Sequence, residues 1–375
     1  MKKERLFELD VMRGLAFICI VLQHTIGGFS YRDDISFNDF IISKFIYIVA
    51  ENGVELFIFL TAVSLIYTYY DTFDIKDFYI KKLKFLVLPF VIWSVIIMVY
   101  NGNSFNMDCI LVIFSGDVQY HLWYMGMILR IYLYFPIILW IVRKIKEKNI
   151  YIKSLAFAFL AFLYWYILKH NGFSEFIIQH MFKNPTEVQK KLVNVSPMFY
   201  YFYFVIGAYA VCNYKKFKEN ILKHKLIVSG FYLLCFGFYY YAAVDEKYGL
   251  GIIPFSTTIV TSILYRASSL LFFYMISCII KEKLTYIFSI LKIVGKYSFP
   301  AYLIHVMVIN GLTLYISTGP EIINYLKFFL FGSFISIAIS YILNFLPYSE
   351  YIIGVKSKIK FNKGINDRNS QVNCN

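Results

Sequence analysis

Apolar residues dominate this chain in long runs, broken at intervals by charged residues, Pro, Gly or Asn. Read between those breaks, the runs predict ten spans at about 11–29, 54–70, 83–100, 122–142, 150–168, 198–212, 226–244, 257–280, 297–316 and 322–346, each near the ~20 residues that cross a bilayer as a helix. The shorter apolar stretch 41–49 reads as a reentrant or interfacial piece. The expected fold is therefore all-α, a polytopic transmembrane bundle of about ten spans in a single domain over residues 1–350. A polar tail, 351–375, is expected to be disordered.

Composition agrees with that pattern. Of 375 residues, 59% are hydrophobic and 21% aromatic, and the mean hydropathy is +0.61. A water-soluble domain of this length would need more polar residues for its surface. The net charge of +14 comes from Lys and Arg in short loops, with no groove-reading motif, so no nucleic-acid partner is expected. With the N-terminus on the cytoplasmic side, 26 of the 37 Lys and Arg fall inside, 7 outside and 4 within spans. That bias predicts a multi-pass protein of the bacterial plasma membrane with both termini cytoplasmic. The long loop 169–197, with four lysines, is discordant. Six cysteines lie far apart without metal-ligand spacing, so neither a disulfide framework nor a metal site is expected. The first span reads as a retained helix, not a cleaved signal.

The candidate chemistry begins in LDVMRGLAFICIVLQHTIGG, residues 9–28. Arg13 and His24 are eleven residues apart, which at 100° per residue falls about 20° past three turns, so they share one stripe, separated by about 16 Å along the axis. A titratable group at membrane depth faces the bundle interior or a water-filled cavity. Taken singly, Arg13 also fits snorkelling to headgroups and His24 fits a packing histidine. In ENGVELFIFLTA, Glu55 falls at a depth comparable to His24 and is a candidate to orient it as a general base; an interfacial carboxylate in water is the other reading. FYIKKLKFLVLP sets Lys81, Lys82 and Lys84 at the same surface as Arg13. Lys81 and Lys84 are candidates for binding the phosphates of a nucleotide-bearing donor, whereas Lys82 reads better as an orientation flank. Pro89 is expected to kink the span or free a carbonyl.

HLWYMGMILRIYLYFP carries His121 and Trp123 at the outer interface, and Arg130 about 10 Å deeper on the Trp123 face, where it must meet an anion or carbonyl dipoles. Arg266 fits a structural ion pair or a functional role equally. In GKYSFPAYLIH and beyond, Ser298, Tyr302 and His305 share a helix face as a packed stripe or a substrate contact.

Together LDVMRGLAFICIVLQH, GVELFIFLTA, KKLKFLVLP, HLWYMGMILRIYLYFP and GKYSFPAYLIH make the chain resemble the acyltransferase 3 family of bacterial membrane O-acyltransferases. The resemblance implies a ten-helix domain that takes an acyl group, commonly acetyl, from cytoplasmic acyl-CoA. It delivers that group to a hydroxyl of an extracytoplasmic polysaccharide, glycan or lipid-linked glycan. Arg13 and His24 carry over as the functional pair, with Arg13 also on the donor side. The family's two arginines before span three correspond to Lys81 and Lys84, which keep the charge but lose bidentate phosphate binding. Its Ser-Gly in span two is here Thr61-Ala62. No extracellular esterase-like domain is expected after span ten.

The resulting expectation is a membrane acyltransferase with no permanently bound cofactor and acyl-CoA, most commonly acetyl-CoA, as donor. His24 supported by Glu55 is the expected base, and His121 or Arg130 is a candidate oxyanion donor. Direct transfer and an acyl-histidine intermediate both remain open. A polysaccharide exporter of similar architecture is the alternative, weakened by the lack of paired repeats with broken helices. An acyltransferase-like scaffold without catalysis is disfavoured by the presence of Arg13 and His24.

Overall fold

The computed structural model describes residues 4–102, 109–170, 172–248 and 255–358. Among them there is no strand. The helices are α1 (Phe7–Ser30), α2 (Phe37–Ala50), α3 (Gly53–Tyr69), α4 (Ile75–Lys82), α5 (Leu88–Tyr100), α6 (Cys109–Ser115), α7 (Trp123–Lys146), α8 (Ile150–Lys169) and α9 (Phe173–Met181). They continue with α10 (Glu187–Asn194), α11 (Tyr201–Cys212), α12 (Tyr214–Lys223), α13 (Lys225–Tyr248), α14 (Phe255–Lys283), α15 (Thr285–Leu312), α16 (Ile322–Leu343) and α17 (Ser349–Ile353). Ten helical stretches are long and apolar enough to cross a membrane, and the chain is a multi-pass membrane protein.

α1 is the central pillar. It packs against α2, α3, α14, α15 and α16, and Val11, Met12, Ala16, Phe17, Val21, Ile26 and Phe29 are fully buried. Peripheral helices instead expose apolar side chains: Leu155, Phe159 and Phe162 on α8, Leu330 and Phe334 on α16. This is the expected division between a helix enclosed by protein and helices that meet lipid.

The tightest crossing joins α1 to α15. A Cβ on Gly295 would lie 2.0 Å from the Asp10 carbonyl oxygen, and one on Gly14 would lie 2.7 Å from that of Leu291. Small residues let two backbones meet where lipid supplies no hydrophobic drive for association. Phe7 meets Phe288 at the start of both helices, at 6.2 Å between ring centroids, so the two run in the same direction. Gly14 precedes His24 by ten residues, as Gly295 precedes His305. Equal rise from a common contact carries both imidazoles to the same level, about 15 Å further on.

Several boundaries differ from the expectation, each for a physical reason. α15 begins at Thr285, twelve residues before the predicted span. Lys292 and Lys296 read as loop residues, yet Lys292 Nζ lies 4.9 Å from the Phe7 ring centroid and Lys296 Nζ donates to the Tyr297 hydroxyl at 3.2 Å. Stacked on rings, these ammoniums are tolerated on a helix. The 41–49 stretch lies in α2, which is separated from α3 by Glu51 and Asn52 alone; by length and composition the two helices make one 33-residue candidate span. Residues 351–358 are folded, contrary to the expected tail: Trp93 Nε1 donates to the Ile352 carbonyl at 3.0 Å and Asn344 Nδ2 to that of Lys356 at 2.8 Å. The rest of that tail lies outside the described residues.

Between α4 and α5 the chain forms a π-helical turn, Leu83–Val87. Pro89 has no N–H for the Phe85 carbonyl four residues earlier, so the regular ladder cannot continue. Gly354, at φ +68°, seats its backbone against that carbonyl; a Cβ there would stand 2.4 Å from the Phe85 oxygen.

Candidate functional site

At the N-terminal end of the bundle, α1 and α3 border a cavity of about 1020 Å³ lined by Glu4, Arg5, Asp10, Arg13, Ser64, Thr68 and Asp71, among others. A second cavity of about 270 Å³ shares Arg13, Ser64 and Thr68 and adds Thr61, Lys82 and Tyr132. Arg13 thus stands where the two meet. Its guanidinium donates to Asp10 Oδ1 at 2.9 Å and to Ser64 Oγ at 3.0 Å. Asp10 also binds Arg5 at 2.8 Å, so one carboxylate holds two arginines at the cavity wall. Asp10 is detectable in sequence as an acid three residues before Arg13; Ser64, on another helix, is not.

The lysines divide differently from the expectation. Lys81 is drawn to Asp77 one turn earlier at 2.6 Å, with both side chains about half exposed. Lys84 turns to Glu350 at 3.5 Å and to the Tyr351 ring at 4.5 Å. Lys82, expected to be only a flank, lines the cavity beside Arg13, its Nζ 4.3 Å from the Tyr132 ring centroid. It pairs with no carboxylate among the described residues, which leaves its charge available to an anion.

About 16 Å along α1, His24 enters a cluster of imidazoles. Its ring centroid lies 5.2 Å from His305, 6.2 Å from His121 and 5.2 Å from Tyr120; His121 and His305 are 4.8 Å apart. His305 is fully buried and His121 nearly so. His305 Nδ1 lies 2.7 Å from the Tyr302 carbonyl oxygen, and the Tyr302 hydroxyl donates to the His121 carbonyl. His305 Nε2 and both ring nitrogens of His121 have no hydrogen-bond partner among the described residues. Buried polar groups are ordinarily satisfied, so a cluster with three open ring nitrogens suits an incoming ligand. No group of three or more His, Cys, Asp or Glu is arranged to hold a metal ion among the described residues.

An aromatic wall joins the two regions. Phe57 lines the smaller cavity and meets Tyr124 at 6.1 Å between centroids; Tyr124 meets Tyr302 at 5.9 Å, and Tyr302 meets His121 at 5.4 Å. Thr61 lines the cavity, while Ala62 is fully buried where α11 crosses: a Cβ on Gly207 would come within 2.7 Å of the Ala62 methyl.

Four of the candidate residues stand elsewhere. Glu55 does not reach His24: its Oε1 accepts from Arg266 Nη1, while Arg266 Nη2 lies 3.4 Å from Glu51. A buried carboxylate takes the nearest guanidinium over a neutral ring, since an unpaired charge there is far costlier. Arg130 spends its N–H groups on the carbonyls of Gly126, Leu192 and Val195 at 3.1, 2.7 and 2.9 Å. Three of its five N–H groups are thereby engaged, and it clamps the end of α10 to α7 rather than joining the imidazole cluster. Trp123 stacks on Tyr200 at 5.1 Å. Ser298 bonds back to the Gly295 carbonyl at 3.0 Å.

Fold and site together define a polytopic helical membrane protein whose interior joins a charged cavity to a buried imidazole cluster. The family model described as an acyltransferase domain, Acyl_transf_3, matches residues 6–345, so the chain belongs to the acyltransferase 3 family and is a membrane acyltransferase. No curated protein and no solved structure matches it.

The assignment of Glu55 to Arg266 has a direct test in thermal unfolding of the detergent-purified protein. Arg266→Ala strands buried carboxylates and should cost about 3–5 kcal/mol. The double variant Arg266→Ala/Glu55→Gln should recover part of that loss. A double variant no more stable than the single one would place the Glu55 charge elsewhere.

Proposed function

We propose that this acyltransferase takes an acyl group, most commonly acetyl, from acyl-CoA at the Arg13 cavity. It transfers that group at His24 to a hydroxyl of a glycan or glycolipid on the opposite face of the membrane. The observation that carries this reading is the geometry of α1, on which Arg13 lines one cavity while His24, about 16 Å further on, meets two other imidazoles. The Lys and Arg bias supports a cytoplasmic N-terminus and hence a cytoplasmic donor.

In this reading the donor's phosphates lie against Lys82 and Arg13, and its long thiol arm runs past Phe57 and Tyr124 towards the imidazoles. His24 removes the proton of the acceptor hydroxyl as its oxygen attacks the thioester carbon. His121, with unpartnered ring nitrogens beside His24, offers an N–H to the developing oxyanion. The acyl group crosses between two aqueous faces while the bulky donor stays on one. Lys82 takes the donor role that the family resemblance implied for Lys81 and Lys84.

Cells carrying His24→Ala should lose the ester on their surface glycans, measured by mass analysis, while the protein inserts at wild-type level. Unchanged ester content in a well-expressed variant would refute the reading. In acetyl-CoA binding to purified protein, Lys82→Ala should raise Kd about tenfold or more, the loss of one charge-assisted hydrogen bond. Lys81→Ala should stay within about twofold of wild type. Equal affinities for the two variants would remove Lys82 from the donor site.

A further inference from the structure

A histidine that acts as a base needs a neighbour for its second ring nitrogen, to hold the ring in place and to receive its N–H once the ring is charged. Glu55 is held by Arg266, and no hydrogen bond orients His24 among the described residues. The ring beside it is a different matter.

His305 donates from Nδ1 to the Tyr302 carbonyl at 2.7 Å. Since a carbonyl oxygen only accepts, the proton sits on Nδ1 and the neutral ring keeps a lone pair on Nε2. That nitrogen is buried and has no partner among the described residues. Tyr302 is itself tied down, its hydroxyl donating to the His121 carbonyl. A rigid chain of contacts therefore ends in one bare acceptor beside His24, whose ring centroid is 5.2 Å away with the planes inclined at 36°.

We propose that His305 is the positioning residue of His24, accepting at Nε2 the second N–H of His24. The inference rests on the function proposed above. When His24 takes the hydroxyl proton, the hydroxyl oxygen bonds to the acyl carbon, the carbon–sulfur bond breaks, and its electron pair leaves with sulfur. The imidazolium then carries two N–H groups, one towards the reacting atoms and one towards His305 Nε2. His24 next gives the proton to the thiolate, leaving an ester, a neutral thiol and two neutral imidazoles. His305 stays uncharged throughout. A neutral acceptor has an advantage over a carboxylate here, because the resting pair places no net charge inside the membrane. The contact tightens as substrates enter, as catalytic hydrogen bonds commonly do.

The test uses the full-length protein in membrane vesicles bearing the native acceptor, with labelled acetyl-CoA as donor. His305→Phe should lower kcat about 10²-fold and leave the donor KM within about twofold. His305→Gln, whose side-chain carbonyl offers an acceptor at similar reach, should return the rate to within about tenfold of wild type. If the phenylalanine variant fails to insert, His305→Leu replaces it with the same expectations. Wild-type kcat in the apolar variant, equal losses with Gln and Phe, or a loss confined to KM would each overturn the assignment. An active wild type with an indifferent position 305 defeats this inference alone. A wild type that transfers no acyl group defeats the function on which it rests.

Discussion

A bilayer tolerates charge and open hydrogen-bonding groups only where protein surrounds them, and in this chain the close crossing of α1 and α15 creates that shelter. Gly14 and Gly295 let two backbones come into contact. Because the helices run in the same direction, ten further residues along each bring His24 and His305 together. Below the crossing, Asp10 and Arg13 face the cavity; above it lie the imidazoles. Both halves of the site depend on one contact between small residues.

Elsewhere in the bundle, arginines at membrane depth meet fixed partners. Arg266 is neutralised by Glu51 and Glu55. Arg130 is held by three backbone carbonyls. These are structural uses, and each follows from the expense of an unpaired ion in a poorly hydrated interior. Lys82 is different, because its charge meets rings and a cavity but, among the described residues, no carboxylate. The same contrast separates the open nitrogens of His121 and His305 from the serines that bond back to their own helices, such as Ser298 and Ser340.

Much of the fold was legible in the sequence because a membrane helix declares itself by length and hydropathy. Ten predicted spans meet ten candidate spans, and simple helical arithmetic on Arg13 and His24 needs no knowledge of tertiary packing. Most of the failures come from dependence on distant neighbours. Glu55 and its partner Arg266 are 211 residues apart. Lys82 stands at the cavity in place of Lys81 and Lys84, which Asp77 and Glu350 claim. Single-helix periodicity placed Tyr302 and His305 on one face but could not say that His24 and His121 would meet them.

The central claim is that an acyl group changes sides of the membrane along α1 while its carrier does not. Sealed inside-out vesicles from the producing cells, which enclose the native glycans, allow this to be measured with labelled acetyl-CoA supplied only outside. The account predicts labelled ester on the enclosed glycans, free CoA remaining outside, and neither product with His24→Ala. Label that reaches the glycans only after the vesicles are permeabilised would contradict it.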